Sequence, residues 1–383
     1  MSKSPSKLQQ ARELAKAALD KTNERISVLG EYDEDMSNTL SDIQFLFDKI
    51  RNVPTDTQIQ YDKIKQSRLK WLSQAKLIEE KYSNAAQKSL KGGAAGAAAG
   101  IGVVALGPTA AMGIATTFGV ASTGTAISAL SGAAATNAAL AWLGGGAIAA
   151  GGGGMAAGEA FLALAGPVGW AIAAVALIGS GIFFLISRKE KARLEKIFTL
   201  ISERDVKSYE LAIVELNERI VRIKSEMSSI REAIGEIKTF GIDYNQMTEE
   251  QQLKLGSYVN LMNASTQLLT EPILGLQPKY VEEDFEFDYK NEIVRMKSKA
   301  EIKDDVIKMI EDNLQKCKHL TISLANMLYK IELDDSDCKV LTKSIKGNKD
   351  FLSTLNLKKS DIDVYQIHRA IRFLKRKYDA ATK

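Results

Sequence analysis

Apolar residues recur at helical spacing through most of this chain. In the first 50 residues they keep one helical face over 8–29 and then alternate steps of four and three over 36–50. This pattern predicts two antiparallel helices with a break near Gly30. Pro54 is expected to end the second of them, because the residue before a proline is biased away from helical geometry.

The longest apolar repeat lies further along and alternates steps of three and four for more than four heptads. Its members are Val206, Tyr209, Ile213, Leu216, Ile220, Ile223, Met227, Ile230, Ile234 and Ile237. The repeat predicts a coiled-coil helix over 194–238, roughly 48 Å long across these ten positions alone at about 1.5 Å per residue. We expect these seams to pack together in one elongated bundle, with oligomerisation as the alternative.

Four more helices complete the predicted all-α bundle. They cover about Asp56–Leu90, Thr248–Leu269, Phe287–Leu333 and the chain from Ser360 onward. The first has Ile64, Trp71, Ala75, Ile78 and Tyr82 inward, and the third has Ile310, Leu314, Cys317, Thr321, Leu324, Leu328 and Ile331 inward. The last is a basic amphipathic helix, for which packing with a solvated basic face is favoured over binding to a membrane surface.

Composition divides the chain into three segments: 1–91, 92–187 and 188–383. The central segment holds 22 of the 28 glycines and a single formal charge, that of Glu159, whereas the flanks are charged and nearly free of glycine. With only 6 prolines and 7% aromatic residues in the whole chain, long helices are expected in the flanks. The central segment is the region whose composition needs a functional explanation.

The central segment has the length and apolarity expected of a membrane-interacting region. The run Val168–Ser187 is long enough to cross a bilayer core, whereas Ile101–Ser122 and Thr125–Ala150 are built of small residues and are predicted to be conditional spans. The side chains predicted to enter lipid are Trp142, Leu143, Trp170, Ile172, Val175, Leu177, Ile182, Phe183, Phe184 and Leu185. The alternative, a flexible linker, would normally carry polar residues in their place.

Glycines within the central segment recur at spacings that suit close helix packing. Gly92, Gly96 and Gly100 follow one another at intervals of four, and Gly154 with Gly158 repeats that interval. In lipid, where helices have no hydrophobic drive to associate, such small residues let backbones approach closely. We therefore predict tight helix packing or self-association through these positions.

Basic residues flank the central segment on both sides. They are Lys88 and Lys91 before it and Arg188, Lys189, Lys191 and Arg193 after it. If both flanks stay on one side of the membrane, the segment crosses an even number of times, most simply as one or two helical hairpins. Glu159 then marks a hairpin tip, lines a pore or titrates during insertion, or else lies in a solvated loop.

An apolar segment of this size needs cover in water, because exposed apolar patches of that extent cause aggregation. We expect the helical bundle to hide it along its own seams until a lipid surface or a partner releases it.

Other chemistry has little support in the sequence. The net charge of +4, from 51 basic and 47 acidic residues, gives no reason to expect nucleic acid as a partner. There is no P-loop motif, the two histidines, His319 and His368, are far apart, and Cys317 and Cys338 are too few for a disulfide framework. We predict no enzymatic activity, no cofactor, no metal and no small-molecule substrate. From the central segment we expect a membrane-associated protein. No secretory signal peptide is recognised, so its soluble form is expected to be cytoplasmic or released by another route.

The plan of a Gly/Ala-rich hydrophobic hairpin between long coiled-coil helices resembles the α-helical pore-forming toxins of the cytolysin A and haemolysin BL type. The resemblance is architectural and implies a protein that permeabilises bilayers, as a toxin or an intracellular effector, by forming a homo-oligomer or joining sister subunits. The central segment, about 96 residues, is much longer than the tongue of those toxins. The stretch Gly124–Gly158 also resembles a glycine-rich block of uncharacterised bacterial proteins. A non-lytic, membrane-anchored coiled-coil scaffold is the alternative function.

Overall fold

The computed structural model describes residues 6–91, 108–118, 187–277, 328–347 and 358–361, with 290–291, 294, 308, 311–312, 321 and 324. Within these ranges the chain is all-α, as predicted, and six helices and three short 3₁₀ turns are described from end to end. The only strand-like pairing among these residues is an isolated bridge between Arg51 and Asp243.

Helix α1, Lys7–Phe47, is a single uninterrupted helix. The predicted break near Gly30 is therefore wrong. Ser6 caps the helix by accepting a hydrogen bond from the Gln9 N–H at 3.2 Å. The predicted inward positions are confirmed, because Ile26, Leu29, Met36, Leu40 and Ile43 are all buried. A glycine inside a helix costs only about 1 kcal/mol relative to alanine, so Gly30 need not end the helix.

Helix α2, Thr55–Lys91, follows the predicted third helix almost residue for residue. The turn that joins α1 to α2 is fastened by Asp48, which accepts hydrogen bonds from the Tyr61 hydroxyl at 2.6 Å and the Lys65 ammonium at 3.0 Å. Arg51 in this turn exchanges backbone hydrogen bonds with Ile242 and Tyr244, at 2.8 and 3.0 Å.

Helix α4, Arg188–Ile237, is the long predicted helix and has 50 residues, or about 75 Å. It begins earlier than the apolar repeat because Ser187 and Glu190 form a capping box, each side chain accepting a hydrogen bond from the other residue's N–H. The turn after α4 meets the turn after α1, so the two long helices run side by side in the same direction.

The buried face of α4 differs in part from the predicted repeat. Seven of the ten predicted positions are buried: Tyr209, Leu216, Ile220, Ile223, Met227, Ile230 and Ile237. At the other three the core uses the preceding residue, Asp205, Ala212 or Ala233, instead. A straight helix with 3.6 residues per turn drifts against a strict heptad, so a 50-residue helix cannot keep one 3.5-residue seam inward throughout.

Helix α5, Glu249–Thr270, confirms the predicted Thr248–Leu269 helix and starts with a capping box between Thr248 and Gln251. A turn at 328–330 interrupts the chain before the predicted helix end at Leu333, although Thr321, Leu324, Leu328 and Ile331 are buried as predicted. The sequence prediction missed helix α6, Asp335–Gly347. Near Ser360 the described residues form a 3₁₀ turn, Lys359–Asp361.

One short helix in the bundle comes from the central segment. Helix α3, Pro108–Phe118, contacts α1, α2 and α5. By composition it belongs to the Gly/Ala-rich segment, and by packing it belongs to the core formed by the charged flanks.

Candidate functional site

Helix α3 is buried in the bundle along nearly its whole described surface. Ala111, Ile114, Ala115, Thr116 and Thr117 are each at most 1% exposed. The helix begins at Pro108, which suits a first helical position because its missing N–H would have no helical partner there. Burial on several sides at once is typical of a helix that is apolar all round and is enclosed by neighbours.

The backbones of α1 and α3 touch at two glycines. A Cβ on Gly30 would overlap the carbonyl oxygen of Thr109 and lie 2.9 Å from the amide nitrogen of Gly113. A Cβ on Gly113 would overlap the Ile26 carbonyl oxygen and lie 3.0 Å from the Gly30 nitrogen. Only glycine fits at either position, so the two helices approach as closely as helices can.

A buried hydrogen bond joins α2 to α3. The indole N–H of Trp71 donates to the Thr116 hydroxyl oxygen at 3.1 Å, and both side chains are fully buried. Because a buried indole N–H without a partner is costly, this bond fixes the position of α3 along α2.

The carboxyl end of α3 is capped by the segment that follows α5. The Thr117 carbonyl accepts hydrogen bonds from the Ile273 N–H at 2.9 Å and from the Gln277 side-chain amide at 3.1 Å. The last carbonyls of a helix have no partners within it, so these two donors satisfy a group that would otherwise be buried without one.

A buried carboxyl lies against the same helix. Asp33, on α1, is fully buried, and no donor in the described part of the chain meets its oxygens in hydrogen-bond geometry. Burial raises its pKa well above the ordinary value, while the nearby Thr116 hydroxyl and the charge of Arg219 oppose that rise. Arg219 itself donates to the backbone carbonyls of Leu268 and Glu271.

We call this set of contacts the α3 docking site. On the bundle it comprises Gly30, Asp33, Trp71, Ile273 and Gln277, and on α3 it comprises Gly113, Thr116 and Thr117. These contacts fix the position of α3, because they are not only apolar. Each glycine lies against a backbone carbonyl of the other helix, the Trp71 indole bonds the Thr116 hydroxyl, and the amides of Ile273 and Gln277 bond the Thr117 carbonyl. Such a site holds one segment in a defined place.

A second polar cluster joins α4 to α6. Arg193 forms ion pairs of 2.7 Å with both Asp334 and Asp337, and Lys343 donates to Glu190 at 2.9 Å. The Lys343 hydrogen bond and the N–H of Ser187 lower the pKa of Glu190 to about 2.

Deeper along α4, Arg204 bonds the buried Asp205 at 2.6 Å and donates to the Tyr329 carbonyl at 2.7 Å. Burial raises the pKa of Asp205 to about 7, and the charge of Arg204 limits the rise. This pair ties the segment before α6 to the middle of α4.

The predicted basic residues lie at helix ends. Lys88 and Lys91 are in the last turns of α2, and Arg188, Lys189 and Lys191 are in the first turns of α4. Arg193 is engaged in the ion pairs with α6, so its guanidinium is committed within the chain. Arg188 and Lys189 are exposed.

The other predicted site residues fall outside the described residues. These are the lipid-facing set from Trp142 to Leu185, the glycines Gly92, Gly96, Gly100, Gly154 and Gly158, and Glu159. Within the described ranges, no helix is both long and apolar enough to cross a membrane. The part of the predicted conditional span Ile101–Ser122 that is described is α3, whose 11 residues measure about 16 Å against a bilayer core of about 30 Å.

Sequence reasoning did not identify the α3 docking site, although two signals pointed to it. Asp33 stands between Leu29 and Met36 on the apolar face of α1, where a carboxyl has to be explained by a neighbour. Gly30 stands inside an otherwise continuous helical pattern, and such a glycine often marks a close backbone approach. No cluster that could hold a metal ion occurs among the residues described.

The chain matches no protein-family model, no curated protein and no solved structure.

Proposed function

We propose that this protein inserts its Gly/Ala-rich central segment into lipid bilayers and permeabilises them as an oligomer, with the helical bundle holding part of that segment until insertion. The observation that carries the proposal is the burial of α3 in the α3 docking site. There α3, a piece of the central segment, packs among helices of the charged flanks. It is held by the glycine contact with α1, the hydrogen bond from Trp71 and the hydrogen bond from Ile273.

Small residues suit a segment that must pack in both surroundings. In the bundle, Gly113 allows backbone contact with α1. In lipid the same small surfaces allow helices to pack by van der Waals contact, where no hydrophobic drive brings them together.

A reversible cross-link tests whether α3 must leave. The Ile273 N–H bonds the Thr117 carbonyl at 2.9 Å, so these two backbones are in direct contact, and cysteines at the two positions are the pair to test for a disulfide. We would make Thr117→Cys/Ile273→Cys in a chain carrying Cys317→Ser and Cys338→Ala, and confirm cross-linking by counting free thiols. Release of a small dye from anionic liposomes is expected to be blocked in the oxidised protein and restored by reductant.

The matched control is Thr117→Cys alone in the same background, which should release dye with or without reductant. Equal dye release from the cross-linked and reduced double variant would show that α3 stays docked during permeabilisation. If the unmodified protein floats with liposomes but releases no dye, the pore proposal is wrong. That result would favour the non-lytic scaffold, in which the 50-residue α4 would form the elongated part.

A further inference from the structure

Helix α4 has a second face with heptad spacing, and this face is exposed. Leu211, Val214 and Val221 are 55%, 62% and 65% exposed. With Glu218 they follow steps of three, four and three, on the side of the helix opposite the buried Tyr209 and Leu216. Scattered exposed apolar residues are ordinary, but three on one heptad seam of a charged helix form a surface that can pair with another helix.

We infer that this outward face of α4 binds the same face of a second copy of the chain, with the two helices antiparallel. The two-fold axis would pass between Ala212 and Ile213. Leu211 then lies opposite Val214 of the second copy, and the same pair is repeated across the axis, whereas Val221 lies outside these pairs, opposite Arg204. A two-fold interface of this kind needs a self-complementary surface, and the charges decide whether the surface meets that condition.

The charges on this face match in that register. Lys207 lies opposite Glu218 of the second copy, so the two-fold axis creates two ion pairs. Both residues are exposed. Lys207 and Glu218 lie within the seam itself, where polar residues specify the register and orientation of paired helices.

The same charges disfavour a parallel pair in register. It would place Lys207 opposite Lys207 and Glu218 opposite Glu218, and like charges in contact oppose association. In the antiparallel register, Glu210 and Glu215 of the second copy lie on opposite edges of the seam and do not meet. Glu215 is already turned toward its own chain, because it accepts a hydrogen bond from the Gly275 N–H at 3.0 Å.

The apolar part of the interface is small, so we expect a dissociation constant on the order of micromolar rather than nanomolar. The inference does not rest on the proposed membrane function, because it concerns the protein in solution without lipid. It would supply one of the contacts that an oligomer needs.

Charge reversal tests the pairing, because neither side chain is buried. By sedimentation velocity at 1–100 µM, the unmodified full chain is expected to dimerise, and Lys207→Glu or Glu218→Lys alone to weaken dimerisation at least tenfold. Mixing the two single variants should restore association, since each then meets an opposite charge. The double variant Lys207→Glu/Glu218→Lys should dimerise by itself for the same reason.

Cysteine cross-linking tests the orientation. In the background lacking Cys317 and Cys338, a mixture of Leu211→Cys and Val214→Cys chains should form a mixed disulfide faster than either chain alone forms a homodimer. Faster homodimers would indicate a parallel pair and overturn the inference. A monomeric unmodified chain at 100 µM, or single charge variants that dimerise as well as the unmodified chain, would overturn it too.

Discussion

Gly30 on α1 and Gly113 on α3 lie so close that a Cβ on either one would overlap a backbone carbonyl of the other helix. This contact joins a charged flank of the chain to its Gly/Ala-rich central segment. A larger side chain at Gly30 would therefore disturb the contact between the two helices.

Substitution of alanine at Gly30 is expected to lower the free energy of unfolding by about 1–3 kcal/mol, the usual range for overpacking. The gain in helix propensity from glycine to alanine, about 1 kcal/mol, would act in the opposite direction and be outweighed. Urea unfolding followed by circular dichroism measures the difference. The matched control is Gly235→Ala on α4, where nothing lies within 4 Å of the new Cβ, so that variant should be neutral or more stable.

Weaker docking of α3 should also show in function. If release of α3 precedes insertion, Gly30→Ala should permeabilise anionic liposomes faster than the unmodified protein, and Gly235→Ala should match the unmodified protein. Dye-release rates at equal protein concentration measure this. If Gly30→Ala is destabilised but releases dye at an unchanged rate, docking of α3 does not limit permeabilisation. That result would count against the proposed role of docking.

The bond between Trp71 and Thr116 is expected to be worth about 0.5–1.5 kcal/mol. A double-mutant cycle with Trp71→Phe and Thr116→Val isolates that pair from the packing that each side chain provides separately. The stability of all four proteins is measured by urea unfolding. Simple additivity of the two single effects would show that the hydrogen bond contributes nothing net.

Asp33 gives the α3 docking site a pH dependence whose sign is set by burial. Its pKa is raised well above that of an ordinary aspartate, so the folded chain keeps a proton that the unfolded chain releases. Its contribution to stability is therefore fully present below about pH 3.9, the unfolded pKa, and is lost as pH rises toward the folded pKa. Protonation of this carboxyl favours docking, so acid acting through Asp33 would hold α3 rather than release it.

The corresponding test is Asp33→Asn, which should reduce the fall in melting temperature as pH rises. The control is Asp35→Asn, at an exposed position on the same helix, which should leave that fall unchanged. A steeper fall in Asp33→Asn than in the unmodified protein would mean that the sign is wrong.

Asp205 should titrate near neutral pH, because burial raises its pKa to about 7. The contribution of Asp205 to the free energy of unfolding is expected to decline from about pH 4 to about pH 7 and then to level off, since only in that window does the folded state hold a proton on Asp205 that the unfolded state has released. Carboxyl carbon chemical shifts in NMR measure the titration directly. The pKa of Glu190 is lowered to about 2, so in the same spectra its carboxyl should titrate at a lower pH than an ordinary glutamate. A midpoint for Asp205 near 4 would contradict the prediction.

Local patterns in the sequence determined much of this protein. The repeat of apolar residues placed α2, α4 and α5 and most of their buried faces, because a helix must turn its apolar stripe inward wherever it packs. The uncharged segment 92–187 was equally visible, since composition alone marks it. Neither property depends on what each helix meets.

The tertiary structure decided everything that depends on a partner. Gly30 breaks a helix or joins two helices according to what lies beside it, and only the position of Thr109 and Gly113 settles which. Asp33 and Arg219 are 186 residues apart in the sequence, so the periodicity of one helix could not pair them. Helix α3 belongs to a predicted conditional span because it is uncharged and built largely of small residues, and a protein core can enclose such a helix as well as a bilayer can.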